Sequence, residues 1–201
     1  VLVSRFVNFI QNHGLSPDRI VAITFTEKAA QEMRQRVVRA LDQKYSEDQF
    51  WISTIHAFCY RILSEHVWEA DLSPDFSILT AEEALFLRDR LIRDQLKALR
   101  QKGEASASYL ERLYGFSGLK ALVRECFNKQ DLLNTMREKH LQDPLSKEIW
   151  GHLRNVFDRL RSAYDAEKKN AGVCDFDDLL LKCRDLFKNY PEISLDYRKR
   201  F

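Results

Sequence analysis

Residues 20–37 read IVAITFTEKAAQEMRQRV, six mostly apolar residues that run into a charged segment through Thr-Phe-Thr. The run 20–25 is bounded by turn signals and suits a parallel strand covered on both faces. From about Glu27 to Leu41, Ala30, Met33, Val37 and Leu41 form one stripe and Arg34, Arg36 and Arg39 lie largely off it, which predicts an amphipathic helix. A strand that stops at Phe25 and a helix that starts near Thr26 leave free backbone N–H groups at the helix N-terminus. At the carboxyl edge of a parallel sheet, such a terminus is a standard place for an anionic ligand. Thr24 and Thr26 add hydroxyl donors, and Lys28 adds a positive charge in the first turn. Phe25, if it projects past the sheet edge, offers a ring on which a base can stack. The plain alternative is that Thr26 only caps the helix and Phe25 only fills the core.

Working outward, the same arrangement recurs. FWISTI, residues 50–55, is β-branched and aromatic, and passes at once through His56 into a helix carrying Phe58, Ile62 and Leu63. Two strand-to-helix junctions with threonines would line one sheet edge, although a histidine beside an apolar strand is also a common hydrogen-bonded structural residue. Upstream, Leu2, Val3, Phe6, Phe9 and Ile10 share a helical face that ends at Gly14. Short alternating helices and strands predict an α/β layer.

After DLSPDFSIL the character changes. Residues 81–102 predict one long helix with Leu85, Ile92, Leu96 and Leu99 inward. Residues 107–140 predict two or three shorter helices around YGFSG, and 148–169 carry the cleanest stripe, Ile149, Leu153, Val156, Phe157, Leu160 and Tyr164. The fold class is therefore α/β with a large all-α insertion, mostly helical overall. NAGVCDFDDLLLKCRDLF starts another helix, with Asp175 as N-cap and Phe176, Leu180, Cys183 and Phe187 as its stripe. Its carboxylates invite a metal or acid–base reading; a capped, dipole-matched helix start is the simpler one. The basic residues of 88–102 read first as a solvated face and only secondarily as a nucleic-acid patch.

Composition limits the remaining choices. With 201 residues, 45% hydrophobic and 31% charged, the chain is long enough for one large or two small packed domains. A net charge of +2 neither demands nor excludes nucleic acid. No run approaches the ~18 apolar residues of a membrane span. Cys59, Cys126, Cys174 and Cys183 are far apart, without metal-site spacing, and read as reduced buried thiols of a cytosolic protein. There is no GxxxxGK[ST], HExxH or GxSxG, so no catalytic residue, metal ligand or bound cofactor is assigned to these residues. The chain opens on VLVSRF without a methionine and stops at DYRKRF, and reads as a piece of a longer protein.

Four segments in order resemble motifs of the superfamily 1A DNA helicases of the UvrD/Rep/PcrA type. AITFTEKAAQEMRQRV (motif span 22–34) resembles motif Ia, written TFTNKAAxEMxxR, and STIHAFCYRIL (53–63) resembles TxHSFCxRxL. PDFSIL with its acidic helix is similar to the entry of the inserted helical subdomain 1B, and AGVCDFDDLLLKCRDLF with Pro191 and YRKRF to the return path. The resemblance implies a partial P-loop (RecA-like) domain 1A over 1–74, subdomain 1B over 75–170, and a return to 1A over 171–201, with Walker A expected just before and Walker B just after these residues. The parent it implies is a cytoplasmic bacterial enzyme that uses ATP and Mg²⁺ to move 3′-to-5′ on single-stranded DNA in repair or recombination. These residues would supply DNA-binding surface and be inactive by themselves.

On that resemblance Thr24, Phe25, Thr26 and Lys28 meet single-stranded or partly duplex DNA through motif Ia, and Thr54 and His56 through the second motif. Arg88, Arg93 and Arg100 are further candidates on the insertion. Glu27 in place of the usual Asn, and Ile55 and Ala57 in place of the usual TFHS residues, depart from the pattern, as do residues 103–147. These departures lean toward the AddA/RecB-like branch, in which a helicase–nuclease partner subunit and exonuclease activity are expected. The reading from another class is a stand-alone helical DNA-binding or scaffold module without motor activity.

Overall fold

A computed structural model describes residues 1–129, 133, 135 and 141–201. It resolves into two units: residues 1–76 with 174–201, and residues 77–173.

In the first unit, helix α1 (Leu2–Gln11) buries Phe6 and Ile10 and leaves Leu2 and Phe9 exposed. It ends through Gly14 at φ +64°, a left-handed turn in which Leu15 N–H returns to the Phe9 carbonyl at 3.1 Å. Strand β1 (Val21–Thr24), helix α2 (Glu27–Ala40), strand β2 (Trp51–Thr54) and helix α3 (Ile55–Glu65) follow. The strands pair in parallel, Val21 with Trp51 through Thr24 with Thr54. Helix α2 lays Met33 and Val37 against Phe6, Ile10, Phe50 and Ile52, closing one core. β2 is buried, whereas Ile23 of β1 is 48% exposed. The expectation that β1 is covered on both faces therefore holds only in part: Ala22 packs against the core shared with α1 and α2, while Ile23, which points to the other face, is left open.

Beneath β2 the Trp51 ring is clasped by cations. The guanidinium of Arg61 lies 3.8 Å from the ring centroid and that of Arg200 4.8 Å, with Phe58 and Phe201 at its edges. Arg200 comes from helix α8 (Pro191–Arg200); the sequence run 1–76 and the C-terminal run thus share one core. Arg19 closes the seam by donating to the carbonyls of Lys199 and Arg200 at 3.2 and 3.3 Å. Burial and the Glu65 carboxylate push the Tyr197 phenol up, so it stays protonated and donates to Glu65.

Helix α7 (Phe176–Asn189) packs on α3. Its buried stripe is Leu179, Cys183 and Leu186, while Phe176 and Leu180 are left exposed, which corrects the stripe predicted from the sequence. Asp175 and Asp178 close a capping box, each carboxylate accepting the other's backbone N–H at 2.9 Å. Asp175→Ala is expected to destabilise this unit by about 1 kcal/mol, read as a lowered urea midpoint. A change within error would remove the cap as the reason for the residue.

The second unit begins with a two-residue strand β3 (Ser77–Ile78), paired with β4 (Val173–Cys174). Helix α4 (Ala81–Gln101) opens on a Thr80–Glu83 capping box. Helices α5 (Ala105–Asn128) and α6 (Pro144–Asn170) complete it. The core gathers Leu91, Ile92 and Leu96 of α4, Leu110, Leu119 and Val123 of α5, and the expected stripe Leu153, Val156, Phe157, Leu160 and Tyr164 of α6. Leu85, expected inward, is 54% exposed, and Leu91 takes the core position instead. The shorter helices predicted around YGFSG are the two halves of α5, broken at Gly115 (φ +67°, ψ 167°). The part of that expectation on residues 130–132, 134 and 136–140 lies outside the described residues.

All four cysteines are buried. Burial pushes the Cys126 thiol up to about 11, and contact with Cys59 together with burial pushes Cys183 up as well, so both are thiols at neutral pH. Among the described residues, no helix is long and apolar enough to cross a membrane.

Candidate nucleic-acid interface

The parallel register puts Thr24 directly beside Thr54, so β1 and β2 end at the same level and α2 and α3 start side by side. Each start is capped by threonine. Thr26 Oγ1 accepts Ala29 N–H at 3.2 Å, and Thr54 Oγ1 accepts Ala57 N–H at 3.3 Å. Thr24 Oγ1 donates to the Thr26 carbonyl at 3.0 Å and stiffens the turn between them. What remains open are N–H groups of two helix first turns at one sheet edge, the positive ends of two helix dipoles.

Phe25 lies between Thr24 and Thr26, outside the strand, and is 105% exposed. A ring held clear of all packing by a two-threonine turn is the least economical place for a core residue and a suitable place for a stacking platform. Lys28 stands exposed in the first turn of α2. His56, half-buried, meets the exposed ring of Phe176 edge-on at 5.3 Å, so α7 contributes to the same edge. The sequence pattern places Phe176 on the core stripe of its helix, but the ring is 45% exposed. Phe176 directly follows the Asp175 cap and precedes Leu179, the first buried residue of the helix.

A second residue was visible only as a departure from a motif. Glu27 Oε1 accepts the Thr54 hydroxyl at 2.7 Å and so links the two junctions. No local pattern encodes this link, because it joins residues 27 positions apart and depends on the register of β1 with β2.

The basic residues proposed on the insertion are differently placed. Arg88 turns inward: its guanidinium lies 5.5 Å from the Phe127 ring centroid and 5.7 Å from that of Tyr164, and its buried Nε finds no hydrogen-bond partner among the described residues. Arg93 pairs with Asp94 at 3.8 Å and Arg100 with Glu111 at 3.4 Å. Arg90–Glu167, Arg124–Asp89, Arg154–Asp158 and Arg161–Asp165 continue the same pairing, so much of the Arg content of this unit faces its own carboxylates. Neither unit brings together, among the described residues, three His, Cys, Asp or Glu side chains able to hold a metal ion.

Taken together, the class of protein is an α/β domain that ends two parallel strands in adjacent threonine-capped helix starts and carries a large helical insertion. The profile of the UvrD/REP helicase N-terminal domain matches residues 1–201, and the chain belongs to that family. Over 201 residues it is 29% identical to DNA helicase II of Escherichia coli (strain K12) and 30% identical to the ATP-dependent DNA helicase PcrA of Leuconostoc citreum. It is 28% identical over 205 residues to PcrA of Bacillus subtilis (strain 168). All of this chain is covered in each case, but only 25%, 24% and 24% of the relative, so the chain spans about a quarter of their length. These relatives are of the helicase II and PcrA kind and lend no support to the expected lean toward AddA/RecB-like proteins.

Proposed function

We propose that this chain is the part of an ATP-dependent DNA helicase that holds single-stranded DNA while the protein moves along it 3′-to-5′ in repair or recombination. Residues 1–74 and 171–201 would form part of its domain 1A and residues 75–170 its inserted subdomain 1B. The observation that carries the reading is the pair of aligned, threonine-capped helix starts with Phe25 fully exposed between strand and helix. Backbone N–H groups and hydroxyls at helix starts hold phosphates without reading sequence. A protein that must step past every base needs that indifference. Thr24, Thr26 and Lys28 would meet phosphates, Phe25 a base, and His56 would close the edge with Phe176. Of the cations on the insertion, Arg93 and Arg100 are exposed enough to reach DNA if their ion pairs open, whereas Arg88 serves the core.

ATP and Mg²⁺ belong to the proposed whole protein, a cytoplasmic one. The sequence lacks GxxxxGK[ST], and no step of ATP chemistry is assigned to these residues.

The test is binding of a labelled oligo(dT) followed by fluorescence anisotropy. Dissociation constants of ~10⁻⁴ to 10⁻⁶ M are expected, weakening roughly 3–10-fold between 50 and 200 mM salt as counterions are released. Binding that ignores salt, or no binding, would refute the reading.

A further inference from the structure

Thr54 stands where a phosphate contact is expected, yet its hydroxyl is already committed. Its proton goes to Glu27 and its oxygen accepts the Ala57 N–H, and the residue is only 9% exposed. Glu27 is different: it is exposed, it is the first residue of α2, and its carboxylate reaches across to the residue that caps α3. A negative charge thus bridges the two helix starts, on the ground where their dipoles would draw an anion.

We propose that Glu27 is a resident anion that sets how tightly this edge holds single-stranded DNA. It competes with the incoming phosphate for the Thr54 hydroxyl and the two helix starts. Thr54 is then a positioning residue, acting on DNA through the carboxylate it holds. The inference rests on the DNA-holding reading above. Its use would be release: a backbone grip that is partly satisfied from within lets go of each phosphate more readily than an empty one.

Two like charges about 4 Å apart in water repel by enough to change affinity about fivefold. Glu27→Gln removes the charge and keeps an amide oxygen for the Thr54 hydroxyl; Glu27→Asp keeps the charge. In the full-length chain, with circular dichroism showing each variant folded, Glu27→Gln is expected to bind oligo(dT) about fivefold more tightly at 0.1 M NaCl. The gain should shrink to roughly twofold or less at 0.5 M, where screening shortens the reach of the charge. Glu27→Asp should stay within about twofold of wild type. If Phe25→Ala weakens binding but Glu27→Gln leaves it unchanged or weaker, the resident-anion role is overturned and the DNA-holding reading stands. Equal tightening by Glu27→Asp overturns the role too. If neither wild type nor Glu27→Gln binds, both readings fall.

Discussion

Trp51→Ala is expected to destabilise the α/β unit by about 3–5 kcal/mol, a large part of the ~5–15 kcal/mol that holds a domain folded. The ring is 2% exposed, is faced by the guanidinium groups of Arg61 and Arg200, and touches Phe58, Tyr197 and Phe201. Truncation would leave a cavity that no single neighbour can fill, because these neighbours come from α3, α8 and the residue that ends it, and Arg61, Tyr197 and Arg200 are bonded elsewhere. Arg61 donates to the Phe50 carbonyl and Arg200 to that of Asp18. Two cations would also lose their aromatic face. Trp51→Phe should cost much less, on the order of 1 kcal/mol, since the buried indole N–H has no hydrogen-bond partner among the described residues and its removal relieves an unsatisfied donor. Urea unfolding followed by far-ultraviolet circular dichroism separates the two, with Trp68→Ala as a control at a 76% exposed site. A Trp51→Ala loss below about 1 kcal/mol would mean that the clasp is incidental.

Phe25→Ala is expected to do the reverse, sparing stability and damaging binding. Fully exposed, the ring has no packing to lose, and its removal should leave the unfolding midpoint within about 0.5 kcal/mol of wild type. Affinity for oligo(dT) should fall by about 1–3 kcal/mol, on the order of 5–150-fold, if the ring stacks on a base. Phe25→Trp, which keeps a stacking face, should hold affinity within about threefold. Unchanged affinity in Phe25→Ala would remove stacking from the proposed function and leave only the helix-start contacts.

Local chemistry made a good part of this legible beforehand. The threonine cap at 26, the carboxylate cap at 175 and the α6 stripe all follow from residues within a few positions of one another. What escaped depends on partners far along the chain. Arg88 reads as an outward cation on a helix wheel, yet aromatic rings from α5 and α6 draw it in. The α7 stripe is rotated because α3 sets which face is buried, and no pattern inside 176–189 encodes that. The Glu27–Thr54 bond needs the strand register as well as both residues. At the candidate interface, then, residue types could be read from local pattern but their pairings could not.

The seam between Asp18–Arg19 and Lys199–Arg200 also bears on how the chain is made. A ribosome delivers the helical unit, residues 77–173, as one continuous stretch, whereas the α/β unit has to wait for its last helix. At ~5–20 residues per second, Trp51 remains without its second cation for on the order of ten seconds after leaving the peptidyl-transferase centre. During that interval β2 is an unfinished apolar strand. Slow-codon placement or chaperone dependence in this protein should therefore track the interval between residues 76 and 200, not the helical insertion that occupies it.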